Sequence, residues 1–367
     1  MSSSHPRQSS VDLDSPGRPF DNIINFRDVG RTINQLIGKR VLKEGILFRS
    51  ARLDDASERD KRRLVDEFHI STVVDLRSST EHQIATNKRL AELAAAATAS
   101  STESPSSTES PERQSSTPPA PAPAPAPEPT ASTTSTTSTD IHLPDLPTVT
   151  RFPVSLTGKA FERTLLWRLD WWNFFKVLAL VASGYRPAAV QIVGQQVMSP
   201  RGLVGLGMDT LDSSYGEMKT LFDLFSSVTS KSSSTSTYTS TADGSDDENE
   251  TEDSSSAYPI LIHCTQGKDR TGLIILLLLL LVADVVPEEV MREDYLRSEG
   301  ELVIEMEERM KEVRLLGLSE EYTKCPRHFV ETIRAHLEER YGGVQGYLGT
   351  VGVGREQVER IREVLLA

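Results

Sequence analysis

The chain has 367 residues, a formal net charge of −13, two cysteines and three tryptophans. That composition excludes collagen, a coiled coil and a disulfide-framed scaffold, and no apolar run is long enough for a multi-span membrane protein. Most of the negative charge lies in two low-complexity stretches, −5 over residues 91–140 and −6 over 226–257. The remainder is near neutral and carries no global basic footprint for nucleic acid, although a local cationic pocket for an acidic substrate stays open.

Residues 1–18 are polar and are expected to form a disordered tail; MSSSHPRQSS has no apolar core of a secretory signal. The segment 19–30, PFDNIINFRDVG, ends in a turn signal. Residues 45–50 are expected to form a short strand, and 57–68 a charged amphipathic helix with Ser57 as N-cap. The β-branched run 70–76 is predicted as a buried strand, and helix returns from Arg77 to about Leu93. Of the fifty residues 91–140, 41 are Ser, Thr, Ala or Pro, and 226–257 is a Ser/Thr run that turns acidic. Neither buries enough apolar surface to offset the entropy of ordering, so both are expected to be disordered inserts, serving as spacers or as sites of phosphorylation. Between them come a strand at 149–156, a helix over 160–183 and helical sequence at 185–225 broken at 201–207. The helix at 160–183 holds Trp167, Trp171 and Trp172, which form core, cover a site as a lid or touch a membrane. A buried strand at 258–263 leads through a turn into an apolar helix, and helices at 287–299, 304–316, 328–341 and 355–366 close the chain. Strands alternating with helices predict an α/β fold with a mostly parallel central sheet flanked by helices, in one domain over 19–367 interrupted by the inserts.

The informative stretch is strand–HCTQGKDRTG–helix, residues 263–272. Cys264 follows the strand and Arg270 opens the helix, giving Cys-x5-Arg. Five intervening residues curl into a loop whose amides point at one anion, and the helix N-terminus adds its positive end. The same field favours thiolate over thiol, so Cys264 becomes a nucleophile set for attack on phosphorus. Arg270 supplies a planar fork to the phosphoryl oxygens, which Lys does not duplicate. Gly267 permits the tight backbone, Lys268 adds charge at the rim, Asp269 is placed to protonate the leaving oxygen, and Thr271 offers a hydroxyl to the sulfur. Thr265 and Gln266 supply loop backbone, and Gly272 lets the helix pack close to the strand. A Walker A loop fails, because Ile262 stands where its first glycine belongs. The glycines at 202–207 and 349–354 read as turns. No His/Cys cluster suggests zinc.

This loop resembles that of the protein tyrosine phosphatase superfamily, and in particular the atypical tyrosine phosphatases of bacteria and fungi. NFRDVG (25–30), LFRSARL (47–53), VVDLRSSTE (73–81), DYLRSE (294–299) and YGGVQGYL (341–348) follow in the order of that family. The resemblance implies a phosphatase α/β fold, hydrolysis of phosphotyrosine through a cysteinyl-phosphate, no metal or other cofactor, and activity toward phosphoserine, phosphothreonine or phosphoinositides in some members. The rivals are a phosphoinositide phosphatase, a catalytically silent phosphate-binding module, which intact Cys264, Asp269 and Arg270 argue against, and a sulfur transferase or reductase using a similar loop. Asp75, at the end of a buried strand, competes with Asp269 as general acid or orients Arg270. Arg77 and Glu81 read as an i,i+4 helix pair. Asn25, Arg27 and Asp28 read as a structural turn, Arg49 either approaches the site or pairs with an acid, and Cys325 is an ordinary thiol. Two isolated thiols suit a reducing compartment, the cytoplasm, with access to the nucleus open.

Overall fold

The computed structural model describes residues 20–100, 141–227 and 257–367. The expected disorder of the tail and of most of both inserts therefore concerns residues outside those described. Five strands form one sheet: β1 (Arg27–Asp28), β2 (Leu47–Ser50), β3 (Thr72–Asp75), β4 (Thr150–Pro153) and β5 (Ile260–His263), in the order β1-β2-β5-β3-β4. β1 pairs antiparallel at the edge, while β2, β5, β3 and β4 run parallel, as expected of the α/β class. Their register is flush: Ser50 and Asp75 both lie opposite His263, and Pro153 lies opposite Asp75. The strand preceding Cys264 is thus the central one, with its exit between the ends of β2 and β3.

The pleat sends alternate side chains to two cores. Ile260, Ile262, Leu47 and Val74 join one cluster, and Leu261, Phe48 and Val73 join the other. The helices are α1 (Val29–Ile37), α2 (Glu58–Arg62), α3 (Ser79–Ser100), α4 (Lys159–Trp167), α5 (Trp171–Ala182), α6 (Arg186–Val193), α7 (Ser199–Ser213) and α8 (Tyr215–Ser226), then α9 (Asp269–Leu280), α10 (Glu288–Glu301), α11 (Met306–Leu315), α12 (Phe329–Tyr341), α13 (Val344–Thr350) and α14 (Arg355–Leu365). α9 is apolar because nine consecutive residues, Thr271 to Leu279, are buried in it. They pack with Leu211, Phe222, Ile333 and Ile361 of its neighbours. Ser57 caps α2 in a capping box with Asp60, as its position predicts.

Several expectations need correction. α1 and α13 are helices that the sequence pattern does not reveal. The predicted helix 160–183 is two, because Asp170 accepts a hydrogen bond from the Asn173 amide and starts α5 afresh. The break at 201–207 narrows to Gly202, at φ 61°, ψ 177° inside α7. α3 continues to Ser100, ten residues into the stretch read as disordered, since its Ala-rich sequence favours helix while the neighbouring Pro and Ser do not. The core reading of the tryptophans is overturned: Trp167, Trp171 and Trp172 are 76%, 72% and 82% exposed.

The chain divides into two compact units, residues 1–81 with 144–367, and residues 82–143. The larger holds the sheet. In the smaller, His142 lies 3.0 Å from His82 through its Nε2 and 2.9 Å from the Thr86 hydroxyl through its Nδ1.

Candidate active site

The chain leaves β5 at His263 and reaches α9 at Asp269, so residues 264–268 form a loop over the sheet's C-terminal edge. Backbone bonds tie it to both sides: Leu76 N donates to His263 O at 2.9 Å and Arg52 N to Thr265 O at 3.1 Å. Gly267 has φ +66°, and a Cβ there would lie 2.1 Å from the Ser50 carbonyl oxygen. Only glycine therefore allows the loop to fold back against β2. Cys264 is a free, buried thiol, 2% exposed. The first turn of α9 has no side-chain cap, which leaves its amides available to an anion.

Arg270 is gripped by Glu81. Its Nη1 and Nη2 donate to the two carboxylate oxygens at 2.6 and 2.5 Å, and Nη1 also reaches the Leu76 carbonyl at 3.3 Å. Thr265 of the loop donates to the same carboxylate at 2.5 Å. Glu81 is placed by its own helix start: its Oε2 accepts from the Ser78 amide at 2.9 Å, and the Ser78 hydroxyl accepts from the Glu81 amide at 3.3 Å. Burial alone would raise the Glu81 carboxyl, but Arg270, Thr265 and the Ser78 amide outweigh it and hold it at about 2. Burial likewise works against the Arg270 charge, and Glu81 more than compensates, raising Arg270 above its ordinary value.

Beneath the loop lies a buried ionic floor. Arg49 donates to the Gly267 carbonyl at 2.8 Å and to Asp294 at 2.6 Å. Arg27 donates to the other Asp294 oxygen at 2.7 Å and to Asn25 Oδ1 at 2.5 Å. Asn25 Nδ2 in turn donates to the Gln266 carbonyl at 3.0 Å. Burial would raise the Asp294 carboxyl, yet the two arginines bring it below its ordinary value. Burial and the neighbouring Arg27 lower Arg49 to about 10. Asp28 stands apart from this floor, capping α1 and accepting from the Gly45 amide at 2.6 Å. Both alternatives for Arg49 are thus realised together, and Asn25 and Arg27 do more than shape a turn.

The remaining loop residues divide. Lys268 is fully buried, and its Nζ donates to the Tyr322 and Lys324 carbonyls at 3.0 and 2.7 Å. Its expected place at the rim is therefore corrected: it ties the loop to the 322–324 segment. Asp269 Oδ1 lies 3.5 Å from that ammonium and has no hydrogen-bond partner among the described residues. The Thr271 hydroxyl is buried and also lacks one, so its expected bond to the sulfur is not formed. A Cβ on Gly272 would press on the Tyr295 ring at 3.0 Å, so the close neighbour of this glycine is α10 rather than the strand expected. Gln266 Oε1 accepts from Arg309 at 3.2 Å.

Asp75 ends β3 and is held by Arg77, whose Nη2 and backbone amide donate to it at 2.8 and 3.0 Å. His263 Nε2 lies 3.5 Å from Asp75, and burial lowers the His263 pKa. Arg77 reaches on to Asp54 at 2.7 Å. The expected Arg77–Glu81 helix pair is absent because Arg77 precedes the helix, so i,i+4 geometry does not apply. Cys325 is an ordinary thiol, as expected: buried, bonded to the Tyr295 carbonyl, and pushed up to about 12 by burial. Among the described residues no group of three or more His, Cys, Asp or Glu is arranged to hold a metal.

The sequence matches the model of the tyrosine phosphatase family over residues 18–132 and 208–367, more than half of the chain. The chain belongs to the tyrosine phosphatase family. It is also 31% identical over 123 residues to the triple specificity protein phosphatase PtpB of Mycobacterium tuberculosis. That match covers 29% of this chain and 44% of the relative, so the chain spans less than half the length of the curated protein it matches.

Glu81, which the sequence reads as the partner of Arg77, instead holds Arg270 and Thr265. The signal was present in SSTE (78–81), a capping box that fixes a carboxylate at a sheet edge. Glu81→Gln is expected to lower kcat/KM for an aryl phosphate about 10- to 100-fold through misplacement of Arg270, with the fold retained. Steady-state kinetics beside circular dichroism would check it, and unchanged kcat/KM would refute the positioning role. Because the folded-state value of Glu81 is depressed from 4.5 to about 2, its stabilisation is complete above about pH 4.5 and is lost as pH falls toward 2.

Proposed function

We propose that the protein is a cysteine-dependent phosphatase that hydrolyses phosphotyrosine through a cysteinyl-phosphate. The observation that carries the reading is Cys264 at the end of the central strand, beneath an uncapped helix start and beside an arginine fork held in place by Glu81. The Cys264 sulfur attacks phosphorus, the P–O bond to the leaving oxygen breaks, and that oxygen takes a proton. Water then attacks the thiophosphate, returning the thiolate and releasing phosphate. Asp269 is our proton donor, and then acceptor from that water, since Asp75 is occupied by Arg77 and His263. Thr265, Gln266, Gly267, Thr271 and Gly272 shape the phosphate site, and Lys268 braces it from behind. We read residues 19–367 as one catalytic domain, because the family match takes up residues 18–132 and 208–367, on both sides of 133–207. The two free, buried thiols favour a reducing, cytoplasmic setting.

A broader specificity is a second reading. The mycobacterial relative is named for triple specificity, and a phosphoserine, phosphothreonine or phosphoinositide monoester presents the same dianion to the loop. Lys268 gives no support to the lipid, because it is buried and cannot meet a further headgroup phosphate.

Turnover of a phosphotyrosine peptide, a phosphoserine peptide and a phosphoinositide panel tests the proposal. Phosphotyrosine hydrolysis that survives chelators, with a phosphate trapped on Cys264 in rapid quench, is the expected result. Phosphate binding without turnover of any monoester would make the protein a silent module instead. In the same assay Asp269→Asn is expected to remove the alkaline limb of the pH–rate profile and to suffer most on poor leaving groups. If Asp75→Asn shows that dependence and Asp269→Asn does not, the assignment is reversed.

A further inference from the structure

The surface of α4 and α5 supplies none of the site residues described above, yet it exposes several large apolar side chains. Trp167, Trp171 and Trp172 stand out from it with Phe175, Leu178 and Val181, all exposed. Trp167 and Phe174 have ring centres 6.2 Å apart, Phe174 and Phe175 5.5 Å, and Phe175 and Trp171 4.7 Å, so these four rings form one continuous patch. Val177 alone of α5 is buried. An apolar patch of this kind marks a surface that is covered in use.

Its chemistry points to what covers it. α5 carries one charge, the exposed Lys176, in the middle of the apolar sequence. Over residues 159–185 the chain has Lys159, Arg163, Arg168 and Lys176 against Glu162 and Asp170. Asp170 is engaged at the start of α5, where its carboxylate accepts from the Asn173 amide at 3.0 Å and side chain at 2.6 Å. Arg168 is paired with Asp209 at 2.6 Å, which leaves Lys159, Arg163 and Lys176 against Glu162 and Asp170, so the face is apolar and aromatic with a small net positive charge. Indoles suit the boundary between headgroups and acyl chains, where the ring is apolar and its N–H is wet. Twelve residues of helix make about 18 Å, short of the ~30 Å hydrocarbon core. No helix of the described residues is long and apolar enough to cross a membrane.

We propose that the α4–α5 face is an interfacial anchor that lies in the headgroup layer of a bilayer containing anionic lipid, with the tryptophans toward the acyl chains and the basic side chains at the phosphates. The inference does not depend on catalysis.

All three tryptophans of the chain are exposed on α4 and α5, so intrinsic fluorescence reports on this surface directly. The full chain is mixed with phosphatidylcholine vesicles, with and without phosphatidylserine, and followed by flotation and emission, using lipids brominated at different depths. Expected are flotation and a blue shift with the phosphatidylserine vesicles, both weakened by salt, and quenching strongest for bromines near the headgroup. The W171S/W172S double variant should lose about tenfold or more in vesicle affinity while keeping its circular dichroism and its turnover of a soluble aryl phosphate. Lys176→Glu, which leaves the aromatic patch intact, should abolish the preference for phosphatidylserine. Absence of flotation and bromine quenching in the unaltered protein overturns the proposal. So does a blue shift that grows with protein concentration without lipid, which assigns the face to a second copy. Faster soluble-substrate turnover in the double variant, with no vesicle binding by the parent, would instead make the face a cover for the protein's own site.

Discussion

Cys264→Ser is expected to lower phosphotyrosine turnover by a factor on the order of 10⁴ or more, to the background of the assay. A serine hydroxyl at that position has no neighbouring base comparable to a thiolate's own charge. The same variant should still bind inorganic phosphate or a phosphopeptide, because the loop amides, the start of α9 and Arg270 remain. Calorimetric titration of the variant, beside single-turnover kinetics, separates the two effects. Residual activity within tenfold of the parent would remove the cysteinyl-phosphate from the mechanism. Arg270→Lys should also lose most activity, since a point charge replaces the two-pronged grip that now meets both Glu81 oxygens.

The second large effect concerns stability. Asp294 is buried between Arg27 and Arg49, at 2.7 and 2.6 Å, and Arg49 passes the connection to the Gly267 carbonyl. Asp294→Ala leaves two buried guanidinium groups without their anion, a change of about 3–5 kcal/mol. The melting temperature should fall by roughly 6–20 °C, and activity should fall at temperatures where the variant is still folded. Asp294→Asn keeps the shape and part of the hydrogen bonding, so it should lie between the two. Thermal and urea unfolding of the three proteins decides the matter, and a loss below about 1 kcal/mol would show that the arginines find other partners.

The chemistry of the loop was legible because it depends on residue type and spacing: a buried strand, Cys264, a glycine at the fold-back, Arg270 and an apolar helix. The four parallel strands were legible as short runs, β-branched at 70–76, between helical segments, and the α/β class followed. Three features were not. Lys268 reads as a surface charge until the 322–324 carbonyls, more than fifty residues away, close over its ammonium. Glu81 looks like the partner of Arg77 until the helix is seen to begin at Ser79, which sends Arg77 to Asp75 and frees Glu81 for Arg270. The tryptophans look like core because apolar sequence reports what a side chain prefers to touch, whereas exposure depends on whether the fold supplies a neighbour. Asn25, Arg27, Arg49 and Asp294 were visible as motifs in order, but only the sheet brings NFRDVG, LFRSARL and DYLRSE into one floor.

The polarity of the sheet also governs how the gene can lengthen. All four parallel strands end at the margin of the sheet where Cys264 follows β5. In sequence the two low-complexity stretches precede the N-terminal ends of strands, Thr150 of β4 and Ile260 of β5. Codons added or lost there change the approach to a strand, not its departure, and a longer connection carries only a logarithmic entropic cost. Changing the length of either stretch, or placing an affinity tag or reporter domain there, is therefore expected to leave the nucleophile in register with Ser50 and Asp75, which turnover of a small aryl phosphate by such variants would check.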